Sequence, residues 1–341
     1  MEALLGKTLS ELQEAAMSVG LQKFAGKQLA EWLYVKRVSS FNQMTNISLK
    51  GREALSARYI IGRRAPVREA VSVDGTRKYL FEVGNQFIES VYIPEDDRAT
   101  LCVSSQAGCK MGCRFCMTGT LGFHGHLSAA DILNQVFEID NIAVSHQLSA
   151  LSNLVFMGEG EPMDNLDNVL RALEIMTADY GCAWSPKRIT VSTVGIPAMK
   201  RFMEESECHL AVSMHNPFSV ERKEIMPAEK MMSITDIVAL LKQYDWSHQR
   251  RVSFEYICWA EQNGTPRHAK ELLRLLRGLP CRINLIRFHE GVDRGFPASD
   301  EKQMEWFRDY LTDNGITTTI RKSRGEDILA ACGMLVNSLT R

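Results

Sequence analysis

Three cysteines fall within eight residues, in the run Cys109-Lys-Met-Gly-Cys113-Arg-Phe-Cys116, a C-x3-C-x2-C spacing. Thiolates gathered this closely serve metal or redox chemistry, and two metal readings compete. A structural zinc takes four protein ligands in a closed tetrahedron, usually from two C-x2–4-C pairs, and the chain has no second pair. A [4Fe–4S] cluster takes one thiolate per iron. Three cysteines in one short loop would hold three irons and leave the fourth open to an exogenous ligand. The chain has nine cysteines in 341 residues, an odd number in a long chain. That argues against a secreted disulfide framework and for a reducing compartment. Cys332, in Ala-Ala-Cys-Gly close to the C-terminus, reads by itself as a buried small hydrophobe. Cys102, seven positions before the trio, reads as core.

Other residues with chemical potential sit where strands end. Gly158-Glu-Gly160-Glu161-Pro162 follows an apolar strand, and glycine lets backbone come close to a ligand. Ser192 and the run Ser213-Met214-His215 also stand at strand ends; His215 alone reads as a satisfied core histidine. His289 closes the strand that begins at Asn284. Glu89, in Ile88-Glu-Ser-Val-Tyr92, reads by itself as a solvent-facing strand carboxylate.

The elements that must position these residues are legible as periodic patterns. Apolar strands are expected at 101–105, 154–157, 188–192, 210–213, 252–257, 283–287 and 317–321. Between them, Leu166, Val169, Leu170 and Leu173 repeat at helical spacing, as do Ile234, Ile237, Val238 and Leu241, and Ala269, Leu272, Leu273 and Leu276. Strands alternating with helices predict an α/β fold, a partial or full barrel of about six βα units. In such barrels chemistry sits at the C-terminal ends of the strands. Ahead of the barrel, Thr8-x-x-Glu11 predicts a capped helix ending near Gly20. Helices follow at 24–38 and 49–59, then strands joined by Asp74-Gly75 and Gly84-Asn85 turns. The expected units are residues 1–60 (a helical accessory unit), 61–97 (a β-hairpin extension), 98–325 (the barrel) and 326–341 (the segment carrying Cys332).

Apolar residues make up 45% and charged residues 24%, which excludes a disordered chain. No run approaches the roughly 18 apolar residues of a membrane helix, and the N-terminus carries no secretory pattern; a cytoplasmic protein is expected. The net charge is −1, so any nucleic-acid contact must be local. Residues 1–70 hold eleven Lys and Arg against six acids, a surplus of five positive charges. That surplus suits phosphate docking or a solvated helical face. Arg63-Arg64 and Lys187-Arg188 are further candidate phosphate contacts.

The cysteine loop after the first strand of an α/β barrel resembles the radical SAM superfamily. The runs 98–109, Gly158–Pro162, Ser192–Gly195, Ser213–His215 and Thr319–Ile328, continuing to Ala331-Cys332-Gly333, resemble the RlmN/Cfr family of RNA adenine methyltransferases, in the same order and over nearly the whole chain. The tail and Tyr92–Asp97 look more like the RlmN branch. The resemblance implies a radical SAM partial (β/α)6 barrel in which Cys109, Cys113 and Cys116 hold a [4Fe–4S] cluster. It implies two S-adenosylmethionine molecules per turnover. One methylates Cys332; the other is cleaved to a 5′-deoxyadenosyl radical, which takes a hydrogen from the methyl thioether. Glu89 is implied as the proton acceptor. Cys102 would free the product through a transient disulfide with Cys332. Gly160, Glu161, Ser192, Ser213, Met214, His215 and His289 are implied contacts to S-adenosylmethionine. The implied activity is methylation of adenine C2, at adenine 2503 of 23S rRNA and adenine 37 of tRNAs, by a monomer served by an electron donor of the flavodoxin–reductase type and bound to no membrane. A C8-methylating enzyme of the Cfr type and a non-catalytic iron–sulfur RNA-binding protein stay open as alternatives. Two positions depart from the family pattern. Glu159 stands where Met is usual in Gly-Met-Gly-Glu-Pro and is expected to face solvent or pair with a base. His289 stands where Asn is common.

Overall fold

The computed structural model describes residues 1–247, 251–288 and 295–335. At the N-terminus, β1 (Glu2–Ala3), α1 (Leu9–Ser18), α2 (Ala25–Ala30), α3 (Leu49–Arg58) and β2 (Tyr59–Ile60) form a small unit, with β1 and β2 paired in parallel. The capping box is present: Thr8 N donates to Glu11 Oε2 at 2.8 Å, and the Glu11 amide is turned to Thr8 Oγ1. The helix expected at 24–38 is α-helical only to Ala30 and then widens into a π turn over Glu31–Val35. Trp32, Leu33 and Tyr34 are all buried there. The wider turn brings three consecutive large side chains to one side, which an α-helical turn would spread around the axis.

A ten-stranded sheet forms the rest of the frame. Its first strands, β3 (Arg68–Val71), β4 (Arg77–Val83), β5 (Gln86–Pro94) and β6 (Ala99–Cys102), run antiparallel. Val83 pairs with Gln86, so Gly84-Asn85 makes the expected two-residue turn, with Gly84 at φ 60°. The chain then makes a separate hairpin of β7 (Gln106–Gly108) and β8 (Phe123–His126), whose connection carries the three clustered cysteines. After α4 (Ala129–Ser145) come β9 (Asn153–Phe156), α5 (Leu166–Thr177), β10 (Ile189–Thr193), α6 (Met199–Glu205), β11 (His209–Ser213), α7 (Ser219–Ile225), α8 (Ile234–Gln243), β12 (Val252–Cys258), α9 (Pro266–Leu276), β13 (Cys281–Arg287), α10 (Glu301–Asp313) and β14 (Thr318–Ile320). The order β6-β9-β10-β11-β12-β13-β14 is parallel throughout, the half-wound α/β barrel that the sequence predicts. The first of these strands ends at Cys102, short of Ser105. The amides of Ser105 and Gln106 both turn to Glu159 O, at 2.8 and 3.1 Å, which steers the chain into the hairpin.

Alternation along the strands separates two environments. On β12, Phe254 and Tyr256 belong to the apolar core shared with Leu272 of α9 and Phe307 of α10, while Ser253, Glu255 and Ile257 take the other face. Helix α4 has no polar face of the usual kind: Ile132, Leu133, Asn134, Gln135, Val136 and Phe137 are all buried. It is covered on one side by the sheet and on the other by the N-terminal unit. A Cβ on Gly6 (φ 83°) would meet Ala130 N at 2.6 Å, so only glycine permits that approach.

The same interface uses two of the basic residues. Arg37 pairs with Asp140, and Arg63 Nε donates to Glu138 Oε1 at 2.7 Å with its side chain almost fully buried. Arg63 is thus a structural clamp, not a phosphate contact. Lys187-Arg188 precede β10 and lie at the N-terminal end of the barrel, opposite the end where chemistry is expected. Among the described residues no helix is long and apolar enough to cross a membrane. Replacing Arg63 by Ala strands Glu138 in a nearly closed interface. It should lower unfolding stability by about 1–3 kcal/mol in denaturant titration while leaving the salt dependence of RNA binding as in wild type.

Candidate active site

The cysteine loop is tied to the start of β8 and to α7 and closes a turn of its own. Cys109 N donates to Gly122 O at 2.9 Å, Arg114 N to Ile225 O at 2.9 Å and Cys116 N to Cys113 O at 3.1 Å. Cys109, Cys113 and Cys116 line one cavity of about 130 Å³ at the C-terminal ends of the parallel strands. All nine cysteines are free thiols. Burial pushes the Cys109 thiol up to about 12 and the Cys113 thiol well above its ordinary value, and the neighbouring thiols push the same way. Three thiolates there need a strongly cationic partner, which an iron–sulfur cluster is. No three His, Cys, Asp or Glu side chains among the described residues are grouped to hold a single metal ion. The donor set fits one thiolate per iron.

The wall opposite the loop comes from successive strand ends. After β9, Gly160 adopts φ 97°, and a Cβ there would fall 2.5 Å from Gln106 Cβ. Glu161 is buried; its Oε2 accepts from Val194 N at 2.9 Å and its Oε1 from Met163 N at 3.1 Å. Burial pushes its pKa up to about 7 against those hydrogen bonds. Ser192 lines the cavity and donates to Phe156 O at 2.7 Å. Ser213 and His215 line it as well, whereas the Met214 side chain is buried behind it. His215 has φ 55°, and its Nδ1 accepts from Ile257 N at 3.0 Å, so the ring proton belongs on Nε2. Burial and the Arg222 charge lower its pKa to about 3, which keeps it neutral. His289 lies outside the described residues.

Cys332 opens onto the same cavity rather than into the core. The tail that carries it is laced to the cysteine loop: Met117 N donates to Gly333 O at 2.8 Å, and Thr118 Oγ1 to Leu335 O at 3.0 Å. Cys102 and Glu89 stand behind the wall and do not line the cavity. Cys102 packs with Val91, Ala330 and Leu335, against the segment that bears Cys332. Burial raises its thiol pKa strongly, and the charge of Cys332 adds to the rise. Glu89 is fully buried, not solvent-facing, and pairs with the equally buried Lys78 at 3.1 Å. Lys78 Nζ also lies 3.3 Å from Leu329 O, three residues before Cys332.

Glu159 does not face solvent. It is fully buried, and its carboxyl accepts from Glu89 N at 2.8 Å and Gly108 N at 3.2 Å. It thereby joins the strand of Glu89 to the residue before Cys109. Burial lifts its pKa to about 8, the Glu89 charge adds to the rise, and Lys78 opposes it. Sequence reasoning did not single out Lys78, Arg222 or Glu255. Arg222 is fully buried. It donates to Met214 O (2.9 Å), Ser213 O (2.8 Å) and Val194 O (2.6 Å) and pairs with Glu229, so one guanidinium fixes two strand ends of the cavity. Glu255 lines the cavity itself. Its signal was available: a carboxylate at an inward position of an otherwise apolar strand.

A three-thiol loop facing a ring of strand ends in an open parallel barrel defines the radical SAM class of fold. A solved structure of a radical SAM methyltransferase from Sphaerobacter thermophilus matches with a TM-score of 0.92 at 36% identity, covering 98% of this chain and 99% of that one. Residues 3–61 match the family described as Ribosomal RNA large subunit methyltransferase N-terminal domain. A Bacteroides thetaiotaomicron protein named "Probable dual-specificity RNA methyltransferase RlmN" is 57% identical over 97% of this chain and 95% of its own length. An Alcanivorax borkumensis protein named "Dual-specificity RNA methyltransferase RlmN" is 38% identical over 98% and 90%. The chain belongs to the RlmN family.

The Glu159 carboxyl gives a signed pH test. Its pKa rises from an ordinary 4.5 to about 8 on folding, so between those values the folded state binds the extra proton and stability falls as pH rises. For the metal-free protein, the melting temperature should decline more steeply between pH 5 and 8 in wild type than in Glu159→Gln. Equal slopes would count against this assignment.

Proposed function

We propose that this chain is a radical SAM RNA methyltransferase that methylates C2 of adenine, at adenine 2503 of 23S rRNA and adenine 37 of tRNAs. The observation that carries the reading is the 2.8 Å hydrogen bond from Met117 N to Gly333 O, which sets the residue after Cys332 beside the residue after Cys116. A carrier thiol and a three-thiolate loop thereby share one cavity. The names of the relatives, dual-specificity RNA methyltransferases, support RNA as substrate.

The C2–H carbon of adenine is neither nucleophilic nor acidic, so polar displacement alone offers it no route to a methyl group. A cluster held by Cys109, Cys113 and Cys116, with two S-adenosylmethionine molecules per turnover, would supply the methyl group and the one-electron chemistry. The chain's own residues do the rest. Glycine at 160 and the Ser192, Ser213 and His215 positions seat the cofactor, with Nε2–H of His215 as a donor. Cys332 carries the methyl group as a thioether. Glu89, behind the cavity wall and paired with Lys78, is the proposed final acceptor of the C2 proton, and Cys102 frees the product by pairing with Cys332 as a disulfide, which an external reductant of the flavodoxin–reductase type reopens. We place the enzyme in the cytoplasm as a monomer.

RNA must be brought to this cavity with its base unstacked. Lys23, Lys27 and Lys50 are exposed on the N-terminal unit and have no ion-pair partner among the salt bridges of the described residues. A Lys23→Ala/Lys27→Ala/Lys50→Ala variant should bind RNA more weakly. Its log K against log salt should flatten by about 0.7–0.9 per lost contact, with iron content unchanged. An unchanged slope would move the docking surface elsewhere.

The activity itself is read by mass spectrometry of nucleosides from 23S rRNA and tRNA treated with the anaerobically reconstituted enzyme. 2-Methyladenosine is expected; 8-methyladenosine would reassign the target carbon. Cys332→Ala should abolish methylation, and Cys102→Ala should accumulate a covalent protein–RNA adduct. Methylation by Cys332→Ala would overturn the carrier role.

A further inference from the structure

We propose that Glu255 is the base that removes the thiol proton of Cys332 as that thiol takes up its methyl group. The inference rests on the reading of Cys332 as methyl carrier and adds a residue to it.

Glu255 occupies an inward position of β12 and lines the cavity together with Cys332 and Ser213. Its backbone oxygen accepts from Met214 N at 3.0 Å and His215 N at 3.3 Å, which locks the strand beneath it. Its Oε1 accepts from Asn284 Nδ2 at 2.7 Å, and Asn284 Oδ1 accepts in turn from Thr319 Oγ1 at 3.1 Å. The carboxyl is therefore oriented from β13 and β14, and among the described residues no donor holds Oε2. The other bases on the cavity wall are already committed. Glu161 has one backbone N–H on each oxygen, and His215 Nδ1 is occupied by Ile257 N.

The charged groups around Glu255 are Arg282 on β13, Arg321 just past β14 and Cys332 on the tail, with the neutral His215 on the β11 side. Burial raises the proton affinity of the Glu255 carboxyl above that of an ordinary glutamate; Asn284, Arg321 and Arg282 oppose the rise. At neutral pH a cysteine thiol is mostly protonated, and it is the thiolate that attacks carbon. The step balances without oxidant or reductant. A bond forms between Cys332 Sγ and the methyl carbon of S-adenosylmethionine. The methyl–sulfonium bond breaks with its electron pair passing to the cofactor sulfur, and the Sγ proton passes to Glu255.

The test loads the reconstituted, full-length enzyme with S-adenosylmethionine in the absence of RNA. Methyl on the Cys332 peptide is followed by mass spectrometry against time from pH 6 to pH 10. Glu255→Gln should load about 100-fold more slowly near neutrality, the lower range for a lost general base. Its rate should rise with pH, by up to about tenfold per unit, until the thiol is ionised unaided, while the wild-type rate depends less on pH. Glu255→Asp, which keeps a carboxylate, should recover part of the rate. Iron content and S-adenosylmethionine affinity by equilibrium dialysis should match wild type. Loading by Glu255→Gln at the wild-type rate would overturn the assignment. So would a loss of loading that tracks a loss of cofactor affinity, since Glu255 would then be a cofactor ligand. A wild-type enzyme whose Cys332 never gains a methyl group would instead sink the carrier role, and this inference with it.

Discussion

On the proposed reading Cys332 meets two different partners in one cavity, and something other than its own side chain has to hold it there. Here a peptide bond and one short hydroxyl do it. The amide after Cys116 donates to the carbonyl after Cys332, and Thr118 Oγ1 donates to Leu335 O. These bonds need no charge and no long side chain, so the tail lies against the cysteine loop in a geometry set largely by the main chain. Cys102 then reaches the tail from behind, through an apolar contact with Ala330 and Leu335 rather than across the cavity. The cysteine loop and Cys102 thus approach the tail segment that bears Cys332 from different sides.

The cavity wall obeys a similar economy. Burying an isolated guanidinium is costly, yet Arg222 is fully enclosed because its donors meet three strand-end carbonyls and the Glu229 carboxylate. The ends of parallel strands leave carbonyl groups without ladder partners, and a planar fork of donors can satisfy several at once. One residue on α7 therefore fixes the β10 and β11 ends relative to each other, which is where Ser213, Val194 and His215 meet the cavity.

Much of this was legible in the residues, and the misses have physical causes. The seven parallel strands lie within a few residues of their expected places because short apolar runs between turn signals leave little freedom. Helix α4 escaped because its periodicity is masked when both sides are covered, a state no single chain segment announces. Charge gave the weakest guidance. The surplus at the N-terminus does not say which arginines face water; Arg63 is consumed by Glu138, and Lys187-Arg188 sit at the wrong end of the barrel. The cysteine loop, Gly160 and the strand-end serines were visible because their types and spacing are chemically unusual. Glu255 carried a comparable signal, a carboxylate between Phe254 and Tyr256 on an inward position, yet it was not singled out.

The departure at position 159 looks disruptive, since it adds a carboxyl to a fully buried place where an apolar residue is usual in the family pattern. The surroundings resolve it. Lys78 and Glu89 already balance each other across 3.1 Å with neither exposed. A third charge in that space would be uncompensated, and burial answers by lifting the Glu159 pKa to about 8. At neutral pH the proton stays on Glu159 in most molecules, so the trio is close to neutral overall. Electrically, the site then matches what a methionine would leave. What the carboxyl adds is two backbone hydrogen bonds, to Glu89 N and Gly108 N. The substitution therefore keeps the charge balance and stiffens the link between the strand of Glu89 and the start of the cysteine loop.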